Sequence, residues 1–114
     1  MILVLGAYRV PGVFRPGASI SVVGWGAAAA PRVAHLRVYV VDEKNEVIES
    51  AWEQGWNNGA VVVKGTATDS AVTAIEWDSG KQIRVYFQRG LVLLETAYNN
   101  DQWNGFQGGQ IPIY

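Results

Sequence analysis

Along most of the chain, apolar and polar residues alternate with the two-residue period of a half-buried strand, and no stretch repeats like an amphipathic helix. The alternating stretches are rich in β-branched and aromatic residues and are separated by turn residues, which predicts an all-β fold. The predicted strands form two sets of four, at 19–25, 36–41, 47–52 and 60–64, and at 71–77, 83–88, 92–98 and 110–114.

The two sets are copies of one repeat. Matching residues lie 47 apart at the Arg and Trp positions and 46 apart at the Glu position. A repeat of this length is typical of a β-propeller blade or a solenoid unit. In both, one copy cannot bury its own apolar face, so neighbouring copies must cover it. The matched residues are Arg37 with Arg84, Tyr39 with Tyr86, Glu49 with Glu95, Trp52 with Tyr98, and Trp56 with Trp103.

We therefore predict a single domain over 1–114, with repeat 1 at about 19–66 and repeat 2 at about 71–114. Residues 1–18 resemble the tail of a preceding blade, because they place a Gly-Ala pair at nearly the same distance before a tryptophan as repeat 1 does. Closed rings usually have about four to eight blades, so two blades cannot close one. Two exposed faces per chain predict self-association.

Composition narrows the function. The chain has a net charge of −1 and no basic run, which argues against a nucleic-acid partner. It has no cysteine, which excludes a disulfide scaffold or a zinc-thiolate site, and no dense carboxylate cluster that would suggest calcium. Its apolar runs are too short for membrane insertion, and residues 1–5 lack the features of a signal peptide. We expect a soluble protein without cofactor or metal, either cytoplasmic or secreted by a non-classical route.

Polar residues on the second and third strands of each repeat carry the candidate chemistry. If these strands form a hairpin, alternation places Arg37 and Glu49 on one face as near-opposite neighbours, and Arg84 and Glu95 likewise. A guanidinium donates to sugar oxygens, a carboxylate accepts from sugar hydroxyls, and an indole face covers the apolar side of a sugar ring. The residues alone leave two alternatives open, which are a neutral-sugar site and surface ion pairs worth under about 1 kcal/mol beside structural tryptophans.

The pattern Leu/Ile-Arg-Val-Tyr, then Glu after about eleven residues, an aromatic residue three positions later and a Trp beyond it, resembles the fungal fucose-specific lectins of the Aleuria aurantia type. It is especially similar to their short two-repeat members. The resemblance implies a six-bladed β-propeller, built as a homotrimer of chains with two four-stranded blades each. It also implies that L-fucose and fucosylated glycans bind where the Arg and Glu of one blade meet the aromatics of its neighbour. The implied sugar-binding residues are Arg37, Glu49, Trp52, Trp56, Ala60, Arg84, Glu95, Tyr98 and Trp103.

Two other classes of function compete with this hypothesis. An enzyme is disfavoured because the single histidine, His35, has no predicted Ser or Asp partner. Glu49 and Glu95 occupy equivalent positions, whereas the two acids of a glycosidase need different pKa values. The alternative function is a non-catalytic β-propeller that serves as a platform for protein interactions. The remaining aromatic residues of the repeats are predicted to pack in the core: Tyr39, Tyr86, Trp25 and Trp77.

Overall fold

The computed structural model describes residues 3–5, 8–10, 12–26, 35–53, 55–57, 59–103 and 110–112. All regular structure in these ranges is β-strand, as predicted, and none of it is a helix that could cross a membrane. The strands are β1 (Leu3–Leu5), β2 (Tyr8–Val10), β3 (Ile20–Trp25), β4 (His35–Val41), β5 (Val47–Glu53), β6 (Ala60–Val63), β7 (Val72–Trp77), β8 (Gln82–Arg89), β9 (Val92–Asn99), β10 (Gln102–Trp103) and β11 (Gln110–Pro112).

Two four-stranded antiparallel sheets contain the two repeats. The first sheet has the strand order β3-β4-β5-β6. The second has the order β7-β8-β9, and its fourth position is shared by β10 and β11, which pair with opposite ends of β9. Each predicted strand matches an observed one to within one residue over the described ranges. Residues 113 and 114, predicted to extend the last strand, lie outside those ranges. The short strands β1, β2 and β10 were not predicted.

The main core lies between the two sheets. Alternate residues of β4 and β5 face the second sheet, so that Tyr39, Val41 and Val47 pack in one cluster with Val85 and Phe87. All five are at most 5% exposed. Burying side chains of this size contributes about 1.5–3 kcal/mol each, so this interface stabilises the packing of one sheet on the other.

The inner strands β3 and β7 lie side by side where the sheets meet. Two serine hydroxyls of the first repeat accept hydrogen bonds from the backbone of β7. The N–H of Val72 donates to Oγ of Ser19 at 3.1 Å, and the N–H of Ala74 donates to Oγ of Ser21 at 3.0 Å. These bonds, together with the apolar cluster, fix the position of one sheet against the other.

The outer faces of the two sheets differ in their cover. Val10 and Phe14, from the segment before the first repeat, pack against Val40 on the outer face of the first sheet. The Gly-Ala pair that relates this segment to a blade tail lies outside the described residues. On the outer face of the second sheet, Ile75 and Trp77 are 47% and 44% exposed.

Trp25 and Trp77 hold equivalent places at the ends of β3 and β7 but have different surroundings. Trp25 packs against the main core and lies directly on the β7–β8 turn, where a Cβ on Gly80 would come within 2.1 Å of its ring. Within the described ranges no comparable turn covers Trp77. The prediction of a core role is therefore confirmed for Trp25 and wrong for Trp77, because the neighbour that would bury Trp77 would have to be a further sheet.

Candidate functional site

The β4–β5 hairpin decides which side chains share a face of the first sheet. Its turn is closed by the buried carboxylate of Asp42, which accepts hydrogen bonds from two backbone N–H groups of the turn, at 2.9 Å each. The resulting register pairs Tyr39 with Glu49 and Arg37 with Ala51. Arg37 and Glu49 (the first polar pair) share a face as predicted. They are diagonal neighbours rather than near-opposite ones, because a register that set Arg37 directly opposite Glu49 would need a shorter turn.

Arg37 forms its ion pair with Glu53, at the end of β5, and not with Glu49. Glu53 also bonds Nδ1 of His35. The Arg37 guanidinium and the His35 ring both lie against Trp25, at 5.0 Å and 5.4 Å from its ring centroid. Partial burial would raise the pKa of Glu53, but hydrogen bonds from Arg37 and His35 outweigh it and hold this pKa below its usual value. The prediction that Arg37 pairs with Glu49 is therefore wrong. Arg37 pairs instead with Glu53, its other diagonal neighbour on β5.

Glu49 has a different partner, the hydroxyl of Tyr39, which donates to its Oε2 at 2.7 Å. The ring of Tyr39 is fully buried, so this residue packs as predicted and also serves Glu49. Burial raises the pKa of Glu49, although the hydrogen bond from Tyr39 and the charge of Arg37 oppose the shift. Ala60, at the start of β6, stands opposite Glu49 and places only a small side chain beside the carboxylate.

In the second sheet the predicted pair is present. Nε of Arg84 lies 3.7 Å from Oε1 of Glu95, and both side chains are 18% exposed. We call Arg84 and Glu95 the second polar pair. Tyr86 stands opposite Glu95, and hydrogen bonding to Glu95 raises the pKa of Tyr86. Arg84 also lies over the ring of Trp77 at 4.8 Å. The second sheet thus repeats the arginine, glutamate and tyrosine of the first sheet. Its Arg84 pairs with the glutamate equivalent to Glu49, whereas Arg37 pairs with Glu53.

The predicted aromatic residues form two matching pairs. Trp52 and Trp56 (the first aromatic pair) face each other across an antiparallel bridge, with ring centroids 5.5 Å apart and planes at 63°. Tyr98 and Trp103 (the second aromatic pair) do the same at 5.3 Å and 58°. Trp103 also meets the ring of Tyr39 edge-on at 6.1 Å. The second aromatic pair therefore lies against the face of the first sheet that carries the first polar pair.

Within the described residues, only the first polar pair and the second aromatic pair are brought together. Burial raises the pKa of Tyr98, and the charges of Arg37 and Glu49 also act on it across the interface. By contrast, the second polar pair lies on the outer face of the second sheet. The first aromatic pair extends from the outer face of the first sheet, because Trp52 pairs with Leu36 on the side opposite Arg37.

Glu53 and His35 were not among the site residues predicted from the sequence. Glu53 follows Glu49 and Ala51 in two-residue steps, so the alternation of the strand already placed it on the same face. The prediction ended this strand at 52 and left Glu53 in the loop. Within the described ranges, no three His, Asp or Glu side chains are grouped so that they could hold a metal ion.

Solved structures share this all-β arrangement. A fucose lectin of Kordia zhangzhouensis, solved in complex with methyl-fucoside, matches with a TM-score of 0.63 and 23% identity, over 93% of this chain and 73% of that one. An arginine-to-alanine triple mutant of AofleA from Arthrobotrys oligospora matches with a TM-score of 0.66 and 21% identity, over 95% of this chain and 33% of that one. At these identities the likeness establishes a common fold.

The sequence comparisons are more specific. A profile of the family described as fungal fucose-specific lectin matches residues 7–111. A fucose-specific lectin of Aspergillus oryzae is 38% identical over 101 residues, which cover 84% of this chain and 31% of the relative. A fucose-specific lectin of Aleuria aurantia is 33% identical over 89 residues, 77% of this chain and 28% of the relative. The chain belongs to the fungal fucose-specific lectin family, and it spans about a third of the length of these curated relatives.

Proposed function

We propose that this chain is a non-catalytic lectin that binds L-fucose and fucosylated glycans between adjacent sheets. The observation that carries the proposal is the placement of the second aromatic pair against the face that holds the first polar pair. Family membership supports fucose among neutral sugars, because the relatives from Aspergillus oryzae and Aleuria aurantia are fucose-specific lectins.

The chemistry of the four side chains suits a deoxy sugar. The Arg37 guanidinium donates hydrogen bonds to ring and hydroxyl oxygens, and the Glu49 carboxylate accepts from hydroxyl hydrogens. The faces of Tyr98 and Trp103 cover the apolar side of the ring and its methyl group. In the second site, the indole rings of the first aromatic pair take this role for the second polar pair.

That second site requires a neighbouring sheet. We propose that two further copies of the chain complete a six-bladed homotrimeric propeller, in which the outer face of the second sheet packs against the part of the next copy's first sheet that Val10 and Phe14 leave uncovered. Exposure of equivalent residues supports this arrangement. Val72 is 3% exposed at the inner interface, whereas its counterpart Ile20 is 45% exposed on the outer face of the first sheet. Val23 packs in the main core, whereas its counterpart Ile75 is 47% exposed. Head-to-tail contacts of this kind close into rings, and several sites on one ring bind glycan surfaces with avidity.

Calorimetric titration with L-fucose tests the binding proposal. Arg37→Ala should remove one class of site and Arg84→Ala the other, each with a loss of about 2 kcal/mol or more, because a charged hydrogen-bond donor to the sugar is lost. The double variant should be folded and inert. Galactose and mannose should bind far more weakly, EDTA should change nothing, and methyl-fucoside should be recovered intact.

Three results would overturn the binding proposal. Absence of heat from folded wild-type protein would favour the protein-interaction platform instead. Undiminished stoichiometry in either single variant would remove that arginine from the site. Release of methanol from methyl-fucoside would show an enzyme.

Light scattering after size-exclusion chromatography tests the assembly. The wild-type protein should be a trimer at micromolar concentration. Ile75→Lys should dissociate it, because a buried lysine at the proposed contact would be desolvated without a partner. Leu91→Lys is the matched control, since Leu91 is 87% exposed at a hairpin tip and away from the sheet faces. A monomeric wild-type protein would contradict the ring, and a dimer or tetramer would change its number of blades.

A further inference from the structure

The two repeats differ at one pair of positions beside the proposed sites. In the first sheet, His35 stands opposite Glu53 on neighbouring strands. In the second sheet, the equivalent positions hold Gln82 opposite Asn99. An imidazole and a carboxylate in the first repeat are therefore replaced by two neutral amides in the second. Both members of the first pair are about one-third exposed, at the rim rather than in the core.

This difference coincides with a change in the arginine partner. Along β5, the residue opposite Arg37 is Ala51, so Glu49 and Glu53 stand on the two diagonals at equal sequence distance from it. Arg37 pairs with Glu53. In the second sheet only one diagonal carries a carboxylate, and Arg84 turns to it.

The hydrogen bonds explain why Arg37 takes the Glu53 side. His35 bonds the second carboxylate oxygen of Glu53 and holds that side chain in place. The ring of Trp25 lies against both the His35 ring and the Arg37 guanidinium. A tyrosine hydroxyl bonds the equivalent glutamate in both repeats, Glu49 in the first and Glu95 in the second, so the difference in arginine partner lies at Glu53 and His35. The guanidinium is thus fixed against an aromatic surface without covering the Glu49 carboxylate.

We propose that Glu53, held by His35, is a positioning residue that keeps Arg37 from collapsing onto Glu49 and so keeps the first site open for a sugar. The inference rests on the proposed function of that site. In the second site, Arg84 lies 3.7 Å from Glu95, and a sugar hydroxyl has to compete with their ion pair. Preorganised polar groups bind a ligand more tightly than groups that must first separate and reorder.

The test isolates the first class of site in an Arg84→Ala background and titrates it with L-fucose. Introducing His35→Gln and Glu53→Asn together gives this site the amide pair of the other repeat. We expect binding to weaken by roughly threefold to tenfold, which corresponds to the cost of ordering one long side chain. Thermal midpoint and oligomeric state should stay close to those of the parent.

The reciprocal exchange separates positioning from a structural role. In an Arg37→Ala background, Gln82→His with Asn99→Glu should draw Arg84 away from Glu95 and tighten fucose binding by a similar factor. A pair that served only folding would not produce this gain, and the gain remains measurable if the first exchange fails to fold.

The outcomes are distinct. If the Arg84→Ala parent does not bind fucose, the proposed function of the first site is wrong, and the positioning role fails with it. If the parent binds but the amide pair leaves its affinity unchanged or increases it, the positioning role alone is overturned. A reciprocal exchange that leaves the second site unchanged or weakens it also overturns the role.

Discussion

The hydroxyl of Tyr39 offers a sensitive probe of the buried side of the site. Tyr39 is fully buried and donates to Oε2 of Glu49 at 2.7 Å, a distance typical of a charge-assisted hydrogen bond. Burial raises the pKa of the Tyr39 phenol, so its proton remains available at any pH at which the protein is handled. Tyr39→Phe removes this donor and keeps the ring that packs in the main core.

The magnitude follows from what Glu49 retains. Hydrogen bonds to charged groups contribute about 1.5–3 kcal/mol to stability, and the carboxylate left behind is partly desolvated. Within the described residues, Arg37 compensates only through its nearby charge, because its ion pair is with Glu53. We expect Tyr39→Phe to lower the free energy of unfolding by about 2 kcal/mol at pH 8.

Tyr86→Phe is the matched control in the second repeat. Tyr86 is half-buried, and its carboxylate partner Glu95 also has Arg84 at 3.7 Å, so the loss should stay below about 1 kcal/mol. Urea denaturation of both variants at one fixed protein concentration measures the difference, since any oligomer makes the midpoint depend on concentration. Equal losses in the two variants, or a loss below about 0.5 kcal/mol for Tyr39→Phe, would refute the reasoning.

Two further predictions concern the fold. Because burial raises the pKa of Glu49, the protein loses stability when this carboxyl ionises as the pH rises through its folded-state pKa. Glu49→Gln should therefore increase the thermal midpoint more at pH 8 than at pH 4, and it should abolish fucose binding. An equal change in the midpoint at both pH values would contradict this. Gly80→Ala should destabilise by about 2 kcal/mol or more, because the new Cβ would meet the Trp25 ring at 2.1 Å in addition to the strain at φ +78°. Gly90→Ala is the control, because Gly90 has a positive φ of 57° but a Cβ added there would meet no atom within 4 Å. Its thermal midpoint should fall only by the conformational cost, and equal falls in the two variants would contradict the steric argument.

The sequence by itself determined the strands, the repeat and the composition of the site. Two-residue alternation with β-branched residues places the predicted strands to within one residue over the described ranges, because the burial of one face must match the pleat. The same alternation put Arg37 and Glu49 on one face, and Arg84 and Glu95 on another. These are local properties, which depend only on residues near one another in the chain.

Tertiary structure decided the partners. Arg37 pairs with Glu53, which the hairpin register brings onto its face and which also bonds His35, eighteen residues earlier in the chain than Glu53. The meeting of the second aromatic pair with the first polar pair depends on how one sheet packs against the other, and no local pattern encodes which face covers which. Trp25 and Trp77 show the same limit, since equivalent residues of one repeat become core or surface according to whether another sheet lies against them.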